Sequence, residues 1–211
     1  DSDIGTGYGL GGIGECYPKN QFVWANDCSN NYRKGIDFHS GANVFVWSNK
    51  CHSNKLNGIY VGVDNRLDGV VQPVGTVLIE GNDLLLSDYS GATDNWGLYV
   101  GKSFNTETSG VTSIKIKNNT IKRPTANLGN ALNLIALDLG GFYRPVVDVT
   151  GNTIDAVNCG HVVYVYNSVA ASNIKGVLNV KNNNFNIGKP NSAFFIFAPN
   201  TNVDMFNFCE N

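Results

Sequence analysis

Short segments in which apolar residues alternate with other residues recur along the chain at intervals of 23 to 37 residues. Each segment reads apolar, any, apolar, any, small or polar, Asn, any, apolar. Alternation with a period of two is typical of a β-strand that buries one face. The repeat predicts one structural unit that is stacked six times, and its shared asparagine falls at Asn26, Asn49, Asn82, Asn119, Asn152 and Asn183.

A second apolar strand follows each repeat, and the loops between the strands differ in length. Such units are typical of a parallel β-solenoid, and the unequal spacing favours a right-handed helix with loop insertions. Stacking would place residues such as Val46, Ile79 and Ile116 in inward columns about 4.8 Å apart. It would also join the asparagines in a ladder of side-chain amides. We therefore predict an all-β, right-handed, single-stranded parallel β-helix of about six coils over residues 20–211, with residues 1–19 as an N-terminal arm or cap.

Composition supports an all-β chain and excludes some partners. The 211 residues include 24 Gly and 31 Asn, which tolerate left-handed backbone and favour turns over helix interiors. The net charge of −2 argues against nucleic-acid or anionic-membrane partners, because both need a basic surface. Apolar runs such as residues 193–198 are too short to cross a bilayer. The first residues do not form a secretory signal, so we expect a removed leader or a longer parent chain.

Two motifs, Asn57-Gly58-Ile59-Tyr60-Val61-Gly62 and Gly81-Asn82-Asp83-Leu84, resemble the coil repeats of the pectate-lyase-like superfamily of right-handed parallel β-helices. The style rich in Asn and Gly is most similar to bacteriophage tailspike and tail-fibre β-helices. The resemblance covers roughly residues 20–200. It implies carbohydrate substrates, extracellular work and a homotrimer, but it identifies an architecture rather than an enzyme. One departure is that no amphipathic capping helix precedes the first coil.

One outer column of the second strands suggests a sugar-binding groove. Because Ile36 and Phe38 are predicted to point inward, Asp37 points outward, and Tyr60 and Tyr99 follow it on the next two coils. Beside this column, glycines at the following outward positions would leave a depression. Aromatic rings next to a carboxylate stack well on the apolar faces of sugars. The alternative interpretation is a solvent-facing tyrosine stack, or one that is covered by the loop over residues 64–76.

Asp37 and His39 lie two residues apart on one strand and would share a face. They form a workable acid–base pair for proton abstraction, similar to the Asp-x-His motif of alginate-epimerase and lyase β-helices. The alternative is two unrelated surface residues. Replacing Asp37 with Asn is expected to abolish cleavage and to leave binding and folding intact. The predicted substrate contacts are Tyr60, Tyr99, Trp96, Asp94 and Arg66.

A second aromatic cluster lies on the outer face of the first strands. Phe22 aligns with Phe45, and Trp24 aligns with Trp47, so four large rings would face outward on consecutive coils. Either they form a glycan platform or they contact the N-terminal segment, another subunit or another domain. The contact is the favoured interpretation.

No metal or cofactor is predicted, because His39, His52 and His161 fall in separate coils and the cysteines lack zinc spacing. Five cysteines leave at least one unpaired within the chain. Cys28 and Cys51 would be neighbours in one inward column, where a disulfide is geometrically possible.

The leading functional hypothesis is a tailspike-like β-helix domain that binds, and by extension cleaves, a bacterial surface polysaccharide. It would work on a virion tail or extracellularly, as a homotrimer. Two alternatives stay open. One is a non-catalytic structural or adhesive β-helix, and the other is a secreted uronate polysaccharide lyase or epimerase. Hydrolase and lyase chemistry are not separated, because a second catalytic carboxylate is not identifiable from the sequence.

Overall fold

The computed structural model describes fourteen segments of the 211-residue chain. They are residues 10–11, 20–38, 43–63, 66–67, 70–71, 75–86, 96–102, 111–123, 133–139, 143–155, 161–166, 176–186, 193–197 and 205–211. Within these segments the regular structure is entirely β, and none of them forms a helix that is long and apolar enough to span a membrane.

The strands are short, as expected of a chain whose turns recur every few residues. In chain order they are β1 (Leu10–Gly11), β2 (Asn20–Trp24), β3 (Lys34–Phe38), β4 (Asn43–Trp47), β5 (Lys50–Asn54), β6 (Asn57–Val63), β7 (Arg66–Leu67), β8 (Val70–Val71), β9 (Thr76–Glu80), β10 (Asp83–Leu86), β11 (Leu98–Lys102), β12 (Val111–Lys117), β13 (Thr120–Lys122), β14 (Asn133–Asp138), β15 (Tyr143–Thr150), β16 (Thr153–Asp155), β17 (His161–Tyr166), β18 (Val177–Lys181), β19 (Asn184–Asn186), β20 (Ala193–Phe197) and β21 (Met205–Cys209).

Three parallel sheets contain nearly all of these strands. Sheet 1 has the order β2-β4-β9-β12-β15-β18-β21, sheet 2 has β5-β10-β13-β16-β19, and sheet 3 has β1-β3-β6-β11-β14-β17-β20. Successive strands of the chain pass from sheet 1 to sheet 2 to sheet 3, and each strand pairs with its equivalent in the next repeat. β7 and β8 form a separate antiparallel pair. This arrangement is consistent with a parallel β-solenoid and confirms the predicted all-β parallel architecture.

The predicted inward column is present in sheet 1. Val46 pairs with Ile79, Ile79 with Ile116, and the column continues through Val149 and Val180. All five side chains are fully buried. Because the strands stay in register, like side chains meet like side chains, and the core is a continuous apolar stack of Val, Ile and Leu from the three sheets.

The asparagine ladder connects sheets 1 and 2. At each step from Asn26 to Asn183, the backbone N–H and the side-chain Nδ2 of one asparagine both donate to the Oδ1 of the next, over distances of 2.9–3.1 Å. Nδ2 also donates to a strand carbonyl of the preceding repeat, as Asn152 does to Ile116. The last rung is Asn211, which the sequence pattern had not included.

The residue before each ladder asparagine lies in the left-handed region of backbone space. Its φ is between +53° and +66° at all seven rungs. Glycine and asparagine adopt this conformation most easily, which explains the small or polar position in the sequence repeat. The seven residues are Ala25, Ser48, Gly81, Asn118, Gly151, Asn182 and Glu210.

A second and shorter ladder was not anticipated. The backbone N–H and Nδ2 of Asn31 donate to Oδ1 of Asn54 at 3.0 and 2.9 Å, and Nδ2 of Asn54 donates to the carbonyl of Cys28. Both asparagines are buried. They fix the turn between sheets 2 and 3 in the first two repeats. Of the predicted N-terminal arm, residues 1–19, only β1 is described, and it pairs with the edge of β3.

Replacing Asn152 with Ala should lower the free energy of unfolding by about 3 kcal/mol. The substitution leaves the buried backbone N–H of Asn119, and one of the two N–H groups of its side chain, without their acceptor, and it removes a bond to the carbonyl of Ile116. A buried donor that is left unsatisfied costs about 1–3 kcal/mol. Urea denaturation followed by circular dichroism measures the change. Asn184 is the matched control, since it is exposed and outside the ladder, and its replacement by Ala should cost less than about 0.5 kcal/mol. Equal effects of the two substitutions would contradict a stabilising role of the ladder.

Candidate functional site

The predicted column on sheet 3 is in the expected register. Asp37 pairs with Tyr60 and Tyr60 pairs with Tyr99, while Gly62 pairs with Gly101 at the following outward position. The sequence pattern therefore placed a carboxylate, two tyrosines and two glycines correctly along this face.

The predicted open groove is not found at this column. Asp37 is only 2% exposed and Tyr99 only 3% exposed. The reason is that sheet 3 is buried on both faces at β3 and β14, where every residue of Lys34–Phe38 and of 134–138 is buried. Alternation distinguishes the two faces of a strand, but it does not show whether the outer face is covered.

The carboxylate of Asp37 has a buried cationic partner. Lys34 Nζ lies 3.0 Å from Asp37 Oδ1 and 3.5 Å from the centroid of the Tyr60 ring. Lys34 is itself buried. A buried charge pair of this kind is destabilised strongly when one partner is removed. We therefore expect Asp37→Asn to destabilise the fold, which differs from the expectation from the sequence alone.

Trp96, Tyr99 and Tyr60 do come together, as a continuous aromatic stack. The ring centroids of Tyr60 and Tyr99 are 4.4 Å apart, and those of Trp96 and Tyr99 are 4.7 Å apart. The Tyr99 phenol occupies the space over Gly101, because a Cβ atom at Gly101 would overlap with the Tyr99 hydroxyl and with the Cβ of Asp138. At Gly101, the expected depression is thus filled by the tyrosine of its own strand.

Burial raises the pKa of the Tyr99 hydroxyl far above its ordinary value of 10.0. The neighbouring Tyr166, Tyr60 and Asp138 act in the same direction, since their anionic forms or hydrogen bonds oppose a second negative charge. Ionisation of this phenol is therefore disfavoured in the folded protein.

The side chains of the other residues predicted for this face lie outside the described part of the structure. His39 and Asp94 lie outside the described residues, and of Arg66 only the backbone, in β7, is described. Asp138 is a second buried carboxylate on sheet 3. It lies three strands from Asp37, which corresponds to about 15 Å. That separation exceeds the roughly 5–10 Å that glycoside hydrolysis needs between its two carboxylates.

Sheet 1 presents the exposed aromatic face. We name Phe22, Trp24, Phe45 and Trp47 the outer aromatic patch. Phe22 stacks on Phe45 with centroids 5.0 Å apart, and Trp24 stacks on Trp47 with centroids 5.2 Å apart and planes 5° from parallel. Phe22 is 52% exposed and Trp24 is 55% exposed. The predicted alignment of these four rings is confirmed.

A surface depression of about 410 Å³ lies where the outer aromatic patch ends. On the next strand, Leu78 follows Phe45 and Glu80 follows Trp47 in register. Both are half-buried, and the turn beside them carries Gly81, which has no side chain. We name this feature the Glu80 depression; its walls are Phe22, Phe45, Trp47, Ser48, Leu78, Glu80 and Gly81.

Cys28 and Cys51 are neighbours in adjacent repeats, as predicted, but both are free thiols. A hydrogen bond with Cys28 and burial together raise the pKa of Cys51. Cys209 is also free and is exposed. Among the described residues, no three His, Cys, Asp or Glu side chains are grouped so that they could hold a metal ion.

Comparison of the chain with protein-family models, with curated proteins and with solved structures finds no match. Function must therefore be argued from the geometry of the two faces.

Replacing Asp37 with Asn should lower the free energy of unfolding by about 3 kcal/mol, because the charge of Lys34 is left buried without its carboxylate. Denaturant titration measures the loss. The control is Asp83→Asn, since the Asp83 carboxylate is 54% exposed and pairs with His52 at the surface. That change should cost less than about 1 kcal/mol. Full stability of the Asp37 variant would contradict a structural role for the pair.

Tyr99 should make the protein sensitive to alkaline pH. The pKa of Tyr99 is raised in the folded state relative to the unfolded value of about 10. Its contribution to the free energy of unfolding is therefore complete below about pH 10 and decreases as the pH rises above this value. The slope from this group approaches about 1.4 kcal/mol per pH unit. Unfolding free energies at about pH 9 and pH 11.5 should fall less steeply for Tyr99→Phe than for the unmodified protein. Identical slopes would show that Tyr99 ionises normally.

Proposed function

We propose that the chain is a carbohydrate-binding β-helix whose outer aromatic patch contacts a bacterial surface polysaccharide. The observation that supports this function is the pair of exposed ring stacks on sheet 1, with Phe22 and Trp24 both more than half exposed. Large apolar rings in contact with water mark a binding surface, and tryptophan rings pack well on the apolar faces of pyranoses.

The rest of the face suits a long polar ligand. Below the patch, the outer columns of sheet 1 continue through Glu80, Lys117 and Thr150 in one line, and through Lys115, Asp148 and Asn179 in the next. This surface offers hydrogen-bonding groups of both kinds at regular intervals of about 4.8 Å. A polysaccharide that lies along the solenoid axis would meet one row of side chains for each strand that it crosses.

The finer assignments belong to the same proposal. The chain is a right-handed helix of about six coils, related in style to phage tailspike β-helices, that acts as a homotrimer on a virion tail or extracellularly. The support is the repeat itself, whose unequal loops lie between ladder rungs of constant geometry. No nucleic-acid or membrane partner is proposed, since the net charge is −2.

Cleavage is the second candidate activity. It is favoured by the register of Asp37 with Tyr60 and Tyr99, which places a carboxylate beside an aromatic stack. Asp37 would act as acid or base with His39 as its partner, and Asp94 and Arg66 would contact substrate. This activity requires substrate to reach a carboxylate that is 2% exposed, so binding is the primary proposal. A uronate lyase or epimerase would use the same residues.

The rival to glycan binding is a structural β-helix in which the outer aromatic patch is a subunit contact. In that case the patch would be covered in the oligomer. The two proposals differ in one measurable respect, because a subunit contact responds to protein concentration and a glycan platform responds to added polysaccharide.

Replacing Trp24 with Ala should weaken polysaccharide binding at least about tenfold, which corresponds to about 1.4 kcal/mol of lost stacking. The measurement is biolayer interferometry with a panel of capsular polysaccharides, O-antigens and polyuronates, with mass spectrometry of any products. Trp24 is at an edge and half-exposed, so the fold should persist.

Met205→Ala provides the control, because Met205 is a half-exposed apolar side chain at an outward position on the seventh strand of the same sheet. Its binding should equal that of the unmodified protein. If Trp24→Ala binds normally but sediments as a smaller species, the patch is a subunit contact and the proposed function is wrong.

A further inference from the structure

We infer that the Glu80 depression is a binding site for one neutral pyranose ring, which stacks beneath Trp47 and donates hydroxyl hydrogen bonds to Glu80. This inference rests on the proposed glycan-binding function and adds the position, the chemical class of the sugar and the residue that selects it.

The depression exists because the aromatic columns stop. Phe22 and Phe45 form one column and Trp24 and Trp47 form the other, but the third strand supplies Leu78 and Glu80 in their place. A third pair of rings would fill the space, and the smaller side chains leave about 410 Å³ open. This volume lies within the range of sites that hold small ligands.

A pyranose ring fits at the third strand, next to Trp47, where no aromatic side chain continues the stack. Trp24 covers one side of the Trp47 ring, and the other side is directed toward the next strand, about 4.8 Å away, where Glu80 lies. A flat ring in this position continues the stack that the protein begins. The apolar C–H face of a sugar would contact Trp47, and Leu78 would pack against its edge.

Glu80 supplies the polar contact that distinguishes a sugar from a purely apolar ligand. Its carboxylate is half-buried, and Oε1 accepts one long bond, 3.3 Å, from Nδ2 of Asn118. Within the part of the chain that the structure describes, Glu80 has no ion-pair partner. A carboxylate accepts hydrogen bonds only, so its natural partners are the hydroxyl groups of a sugar. The Ser48 hydroxyl, on the same wall, adds a donor.

The charge of the site favours a neutral ring over an acidic one. Glu80 is the one charged side chain on the wall of the depression as described. The carboxylate of a uronic or sialic acid would be placed beside it at a cost in repulsion. Lys117 lies one strand further along the same column, so a charged sugar would be drawn past the depression rather than into it.

The test uses three trisaccharide probes of defined charge. Maltotriose and chitotriose are neutral, and tri-galacturonate is acidic. Titrations are followed by NMR of the three tryptophan indole N–H signals, which Trp24→Phe and Trp96→Phe variants assign. A neutral trisaccharide should shift the Trp47 indole signal. Leu78→Phe, which fills the depression with a ring in the Phe45 column, should weaken this binding at least tenfold, and Glu80→Gln should weaken it about fivefold.

Lys122→Ala, which changes an exposed lysine on sheet 2, is the control and should bind neutral trisaccharides normally. Thermal unfolding of each variant establishes that the fold is kept. If Leu78→Phe binds as well as the unmodified protein, the depression is not the site. If only tri-galacturonate binds, and Lys117→Ala abolishes its binding, the neutral class is wrong. If polysaccharide binding depends on Trp24 but no trisaccharide shifts Trp47, the inference fails and the proposed function stands.

Discussion

The structure depends on one repeated interaction, in which two donors of each ladder asparagine bond to a single carbonyl oxygen of the next. This bond occurs at a buried turn, where water is not available as a substitute partner, so a rung without its neighbour would leave buried donors unsatisfied. The ladder therefore requires every repeat to turn at the same place. Once the turns coincide, the strands on either side are in register, and the apolar columns follow from alternation alone.

The ladder does not determine which side chains occupy the outward positions of the sheets, and two of the outer faces differ in this respect. On sheet 1 the outward positions are exposed or half-exposed, and they carry rings, a carboxylate and lysines in ordered columns. On sheet 3 the outward positions of β3 and β14 are buried, and polar groups there pair with one another, as Lys34 and Asp37 do. The same backbone thus produces a surface for recognition on one side and a polar interior on the other. Functional residues are expected on the side where side chains meet water.

Much of the fold was predictable because its determinants are local and repeated. The position of Asn82 or Asn119 can be recognised from neighbouring residues, and six copies make a chance pattern improbable. The columns of Asp37 with Tyr60 and of Trp24 with Trp47 followed from the same register. Asn211 was missed because residues 206–211 contain only the first six positions of the repeat and lack the apolar residue that follows its asparagine. The burial of Asp37 could not be predicted from the sequence, since it depends on what covers the outer face of the strand. The Glu80 depression could not be predicted either, because it is formed by side chains of neighbouring strands and not by a single motif.

The left-handed residue before each rung separates the geometry of the turn from the length of chain that connects two turns. Rungs that are 23 residues apart and rungs that are 37 residues apart have the same hydrogen bonds and the same backbone conformation. Insertions and deletions in the connecting loops therefore leave the packing of the core unchanged. Such an architecture is suited to rapid diversification, because loops that contact a changing partner can lengthen, shorten or be exchanged while the scaffold is inherited unaltered.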